Sequence, residues 1–213
     1  MPHEGPPRAP DARTEYLGHL AEADALGVID TEDPAYRRAA EQWYRANAGL
    51  VQKFNQRRLS ERERAALFGS AFHLIEHLPE YRDHPERVTN PAPPVLRDLR
   101  LAVAEGLELA TEAEMERVKA FTAVGSPIDK HLGIDGFLRI EGRTPHEPAT
   151  YVTLDYTINP EKERSRADVL IKKLPDPDLA EEAYVEAVDR AGEEVVNQYR
   201  RKVLVRRERP PGR

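Results

Sequence analysis

Apolar positions in the first half of the chain recur at the helical period of about 3.6 residues. Trp43, Leu50, Val51 and Phe54 fall on one stripe, and Asp33-Pro34 ahead of them supplies an N-cap followed by proline at the first helical position. Ser60 and Glu63 have the spacing of a capping box, in which each side chain accepts the other residue's backbone N–H. A helix opening there would bury Leu67, Phe68, Ala71, Phe72 and Ile75. A weaker helical pattern over 14–26 carries Tyr16, Leu17, Leu20 and Ala23. Asn90-Pro91-Ala92-Pro93-Pro94 then interrupts the periodicity with three prolines, which lack a backbone donor, and marks a boundary.

Beyond the boundary, residues 96–109 are again helical, and Thr111 with Glu114 forms a second capping box opening a helix to about residue 121. The period then shortens to two. Residues 133–140, 150–158 and 167–172 read as strands, separated by loops rich in Gly, Pro, Asn and charge. Asp176-Pro177 starts another amphipathic helix, with Val188, Ala191, Val195 and Tyr199 on one face, and residues 202–206 read as a last strand. The expected fold class is mixed α/β (α+β). A leader (1–12) and a helical region (13–93) precede an α/β domain (94–213) ordered helix, three strands, helix, strand.

Composition narrows the class. Charged residues make up 33% of the 213 positions and the formal net charge is -6, so no global positive field gathers nucleic acid. Cysteine is absent, which removes disulfides and thiolate metal sites and points to a cytoplasmic protein. The first twelve residues are Pro-rich and polar, unlike a signal peptide, and no apolar run approaches the roughly 20 residues that span a bilayer. The expectation is a protein with no membrane partner.

The chemistry-bearing residues sit in the strands. Gly133-Ile134-Asp135-Gly136-Phe137-Leu138 and Tyr151-Val152-Thr153-Leu154-Asp155-Tyr156-Thr157 place an aspartate in each of two neighbouring apolar runs. A carboxylate there is costly unless it faces water or meets a positive group, so the pair reads as a metal site. Two structural alternatives stand beside this. Asp-Gly is a common turn pair, and Asp155 could pair with Arg139 or face solvent at an edge.

With that element order, the acidic pair resembles the core of the PD-(D/E)XK nuclease superfamily, the restriction-endonuclease-like fold, over roughly residues 111–207. The resemblance implies that Asp135 and Asp155 hold Mg²⁺ (or Mn²⁺), that a glutamate of the preceding helix completes the site, Glu116 being the first choice, and that a lysine positions the attacking water. Alternation puts Tyr151, Thr153, Asp155 and Thr157 on one face, so Thr157 occupies the family's lysine position. Lys162, reaching back over Asn159-Pro160, is the replacement, Lys172 the second choice, and His131 an additional acid or base. The implied function is hydrolysis of phosphodiester bonds in nucleic acid, DNA in the first instance. The alternative is a decayed nuclease fold serving as a binding or assembly module, with a protein partner on its N-terminal helices.

Two further motifs compete for attention. His73-Leu74-Ile75-Glu76-His77 matches H-x-x-E-H, the zinc motif of inverted metallopeptidases, although such enzymes need a further distant acid and a larger scaffold. Arg200, Arg201, Lys202, Arg206, Arg207 and Arg209 form a basic cluster on an acidic chain. It is suited to nucleic-acid phosphates and equally to complementing a helix C-terminus or protecting an edge strand.

Overall fold

The computed structural model describes residues 12–144 and 146–208; the leader apart from Ala12, and Arg209, lie outside them. The elements are α1 (Ala12–Leu26), α2 (Pro34–Asn55), α3 (Glu61–Glu76), α4 (Pro79–Arg82), α5 (Glu86–Thr89), α6 (Pro94–Gly106), α7 (Glu112–Met115), β1 (Val118–Thr122), α8 (Pro127–Leu132), β2 (Gly136–Ile140), β3 (Thr150–Thr157), β4 (Val169–Lys172) and α9 (Glu181–Glu208). The fold is mixed α/β, with a helical N-terminal region followed by strands and a closing helix. Both capping boxes form, at Ser60/Glu63 and at Thr111/Glu114, and Asp33 caps α2 through the amide of Ala35.

Two elements differ from expectation. The box at Thr111 opens only one turn of helix, and residues 118–122 are a strand, β1. The expected strand at 202–206 is the last part of α9, a single helix of 28 residues. Val203, Leu204 and Val205 give a strand-like apolar run, but the helical register set by Val188, Val195 and Val196 continues through it. The last strand of the sheet therefore precedes the closing helix.

The four strands lie in the order β1-β2-β3-β4. β1 pairs antiparallel with β2 (Val118 opposite Ile140, Thr122 opposite Gly136), and β2 pairs antiparallel with β3 (Gly136 opposite Leu154, Ile140 opposite Thr150). β3 and β4 are parallel, Leu154 lying opposite Val169. Alternation along the strands divides the core in two. Val118, Ala120, Leu138, Ile140, Val152, Leu154 and Tyr156 face α6, α9 and the end of α1. Phe121 and Phe137 face α2 and α3.

Aromatic packing docks the N-terminal helices on this second face. Phe72 of α3 stacks on Tyr151 at a centroid distance of 4.4 Å and meets Phe137 at 4.7 Å, and Phe137 stacks on Phe121 at 4.8 Å. Such contacts add to the area they bury. On the first face α9 crosses α6 closely at Gly192, where a Cβ would come within 2.8 Å of Ala102 Cβ. Among the described residues, no helix is long and apolar enough to cross a membrane.

The crossing yields a test. Gly192→Leu forces side-chain atoms into α6 and should lower the free energy of urea unfolding by about 2 kcal/mol. Gly49→Ala, in the middle of α2 with open space around its Cβ position, should raise it by about 0.5–1 kcal/mol through helix propensity. Equal shifts at the two sites would show that the α6–α9 approach is not tight.

Candidate functional site

The approach to Asp135 is built in three steps. After β1 the chain turns, and Ser126 caps α8, its hydroxyl accepting the amides of Ile128 and Asp129. Helix α8 then stops at Gly133, whose φ of 66° is the left-handed conformation that glycine adopts without a Cβ penalty. The chain emerges at Ile134 and Asp135, both buried, where β2 begins. Gly136 is the first residue of the strand, not a turn residue. A Cβ there would sit 3.0 Å from the carbonyl oxygen of Phe121 on β1, so glycine permits the close pairing.

Asp135 extends the sheet just ahead of the first residue of β2. Its backbone N–H donates to Leu154 O at 2.9 Å, and its carbonyl accepts from the amide of Ala123 at 2.7 Å. Further along β3, the amide of Tyr156 donates to Asp135 Oδ2 at 2.7 Å. The side chain thus stands in for a missing strand, which satisfies a backbone donor that burial would otherwise penalise.

Asp155 lies on the face of β3 that alternation assigns to Tyr151, Thr153 and Thr157, and is only 6% exposed. Because β4 is parallel to β3 and starts level with Leu154, the connecting loop over 158–168 must double back past Asp155. The Lys162 amide donates to Asn159 O at 3.2 Å, closing a turn, and the loop delivers two donors to the carboxylate. Lys162 Nζ lies 2.8 Å from Asp155 Oδ1, and Ser165 Oγ donates to Oδ2 at 2.6 Å. Lys172 Nζ instead donates to Pro160 O at 2.6 Å and pins the turn. Thr157 Oγ1 accepts the amide of Asn159 at 3.2 Å.

Glu22 of α1 and Asp129 of α8, neither marked in the sequence, join the two aspartates electrostatically. Burial first, and then the charges of Glu22, Asp155 and Asp129, push the Asp135 carboxyl up to about 8 against the lowering effect of the Tyr156 amide. Burial likewise raises Glu22, with Asp129 and Asp155 adding to it and His19 opposing, the His19–Glu22 distance being 3.6 Å. Asp129 is raised by burial and by Asp155, opposed by the Gly125 amide it accepts at 2.8 Å and by His19 and Lys130. No amphipathic stripe in α1 singled out Glu22. The signal for Asp129 was its place in the first turn after Ser126-Pro127, and the signal for Ser165 was the doubling-back that a parallel β4 imposes.

Other candidates go elsewhere. Glu116 ends α7 next to β1, and since Val118 lies opposite Ile140, it sits at the far end of the sheet from Asp135, about 15 Å of strand away. It lines a separate cavity of about 700 Å³ with Glu76, Arg117 and Glu141. The helical carboxylate that acts on Asp135 electrostatically is Glu22 of α1, not one from the helix before β1. His131 stacks on Tyr44 at 4.7 Å and joins α8 to α2. Arg139 pairs with Glu76 at 3.4 Å and Glu141 at 2.9 Å, not with Asp155.

Within H-x-x-E-H, His77 Nδ1 lies 2.9 Å from His73 O, and Glu76 is engaged by Arg139. The basic cluster lies on helix rather than strand and mostly ties α9 down. Lys202 donates to Tyr151 O at 2.8 Å and Asp168 Oδ2 at 2.6 Å, Arg206 to Pro148 O at 2.9 Å, and Arg200 to Gly106 O at 3.2 Å. Arg207 lies 3.5 Å from Glu147, and Arg201 is exposed. Among the described residues no group of three or more His, Asp or Glu side chains is arranged to hold a metal ion. No protein family, curated protein or solved structure matches the chain.

A carboxylate cluster of this kind can relieve its charge by keeping a proton or by taking up a cation. The first has a consequence for stability. Asp135 holds its proton to about pH 8 in the folded chain and loses it near 3.8 when unfolded, so across that window the folded state binds more protons. Stability therefore falls as pH rises through it, opposite to ordinary acid denaturation. In EDTA, thermal melting should drop between pH 5 and pH 8. Asp135→Asn keeps an acceptor for the Tyr156 amide and should flatten that drop. A mutant whose drop equals the wild type's would remove Asp135 as its source.

Proposed function

We propose that the chain is a divalent-metal-dependent phosphodiesterase acting on nucleic acid, DNA in the first instance, on a restriction-endonuclease-like core. The observation that carries the reading is the return of Lys162 onto buried Asp155 beside Asp135. That brings an ammonium and two strand-borne carboxylates together although Thr157 stands at the usual lysine position. The fit to Mg²⁺ or Mn²⁺ rests on donor chemistry. The carboxylates offer oxygen donors of the hard type these ions prefer, and Asp135 is pushed toward its protonated form by burial first and by the neighbouring carboxylates second.

Asp135 and Asp155 are the residues assigned to hold the ion, and Glu22 adds negative charge near them without completing a three-carboxylate set. A bound ion supplies acidification of a coordinated water and neutralisation of phosphodiester charge. The residues of the chain do the rest. To hold a cation at neutral pH Asp135 would have to release its proton to solvent, which frees its carboxylate. Lys162 keeps a positive charge within 2.8 Å of Asp155 and lies where it can orient a water or offset charge on the attacked phosphate. Ser165 fixes the second Asp155 oxygen and thereby the rotamer. We assign the protein to the cytoplasm on its lack of cysteine.

One observation favours a second reading, the decayed binding module: both Asp155 oxygens are already satisfied by Lys162 and Ser165. In that case a protein partner falls to α1, whose Tyr16, Leu17 and Leu20 are exposed, since α2 and α3 spend their apolar faces on the sheet.

Calorimetry with Mn²⁺ at pH 7, on wild type and Asp155→Ala, separates the two, with cleavage of plasmid DNA followed on the same samples. The phosphodiesterase reading expects saturable binding with proton release in the wild type, and loss of both binding and cleavage in the variant. Equally weak binding by the two proteins, with no cleavage, would establish the binding module.

A further inference from the structure

A groove of about 350 Å³ runs between α3, the start of β3 and the last turns of α9. Its charged lining comes from three separate segments: Arg64 of α3, Arg166 and Asp168 of the 158–168 loop and its junction with β4, and Lys202 and Arg206 of α9. That is four cations against one carboxylate, a local excess of three positive charges on a chain whose formal net charge is -6. One oxygen of the carboxylate, Oδ2, accepts from the Thr153 amide, the Thr153 hydroxyl and Lys202 at 2.6–2.8 Å.

The arginines are held by neutral partners, which position the charge without cancelling it. Arg166 donates to Asn55 Oδ1 at 3.0 Å, and Arg206 to Pro148 O at 2.9 Å. Arg64 and Arg166 both lie over the ring of Phe54, with guanidinium carbons 5.7 and 5.1 Å from its centroid. Arg166 also points to the His131 carbonyl at 3.5 Å and Arg206 to the Ala149 carbonyl at 3.4 Å, again neutral acceptors. Guanidinium groups so presented suit phosphate oxygens.

The groove also leads to the carboxylates. Thr153, in its wall, is two residues from Asp155 on the same face of β3, about 7 Å along the strand. Arg166 directly follows Ser165, which holds Asp155. We propose that this groove binds the phosphodiester backbone of a nucleic-acid strand and leads it to Asp155. The proposal rests on the phosphodiesterase reading for what happens at Asp155, but not for the binding itself. It selects Lys202 and Arg206 from the basic cluster and adds Arg64 and Arg166, which lay far apart in sequence and outside it.

The test is fluorescence anisotropy in EDTA with fluorescein-labelled single-stranded DNA, the same sequence as duplex, and the corresponding RNA. Arg64→Ala/Arg166→Ala removes two exposed cations; unchanged far-UV circular dichroism and melting show that the variant folds. Arg201→Ala, exposed and outside the groove, is the control. The proposal expects at least one of the three probes to bind, the double variant to bind it at least tenfold more weakly, and its salt-dependence slope to fall by about 1.5. Arg201→Ala should match the wild type. Wild-type affinity retained by the double variant, an equal loss in Arg201→Ala, or failure of every probe to bind the wild type would each overturn the groove. Because the probes bind without metal, the groove stands or falls separately from metal binding and cleavage at Asp155.

Discussion

β3 runs on past the point where β2 begins, and the amide of Tyr156 is left on the side where a strand partner is missing. The carboxylate of Asp135 accepts that N–H at 2.7 Å. One interaction thus does two things: it closes the sheet at its open end, and it holds a carboxyl group in a place water barely reaches. Burial then raises its pKa and makes it sensitive to Glu22, Asp129 and Asp155. Removing the hydrogen bond would leave a buried donor unsatisfied, at a cost of about 1–3 kcal/mol. The site and the sheet are therefore not separable by mutation unless an acceptor is kept.

The second constraint is topological. A parallel β4 beginning opposite Leu154 obliges the chain to return alongside the strand it has just left. That return places Lys162 and Ser165 on Asp155 and sets Arg166 at the mouth of the cationic groove. The aromatic contact of Phe72 with Phe137 and Tyr151 holds α3, and with it Arg64, against the same face. Carboxylates and arginines that lie far apart in sequence become neighbours because two faces of one sheet are covered by different helices.

Much of this was legible in the sequence where local chemistry is decisive. Capping boxes, Asp33-Pro34 and the alternation around Asp155 fix elements and faces through short-range hydrogen bonds and side-chain direction. The fold-back of Lys162 was readable from the Asn159-Pro160 turn. What escaped was set by tertiary contact. β1 was hidden behind a good helix start at Thr111, because its residues are strand only by pairing with β2. The apolar run after Lys202 looked like a strand because periodicity cannot tell a short buried strand from a helix segment. Glu116 was chosen by chain proximity to the sheet, whereas the antiparallel register sends it to the wrong end and admits Glu22 from α1, a helix without a marked apolar face.

The central claim is that Asp135 keeps a proton in a crowded carboxylate cluster until a cation replaces it. Carbon-13 NMR of the Asp135 carboxyl, assigned through Asp135→Asn and followed from pH 3 to pH 9 with and without Mg²⁺, measures this directly. The account predicts titration near pH 8 in EDTA and a midpoint lowered by at least a full pH unit when Mg²⁺ is present. A carboxyl that titrates in the ordinary range in EDTA, or one whose midpoint Mg²⁺ leaves unchanged, would contradict it.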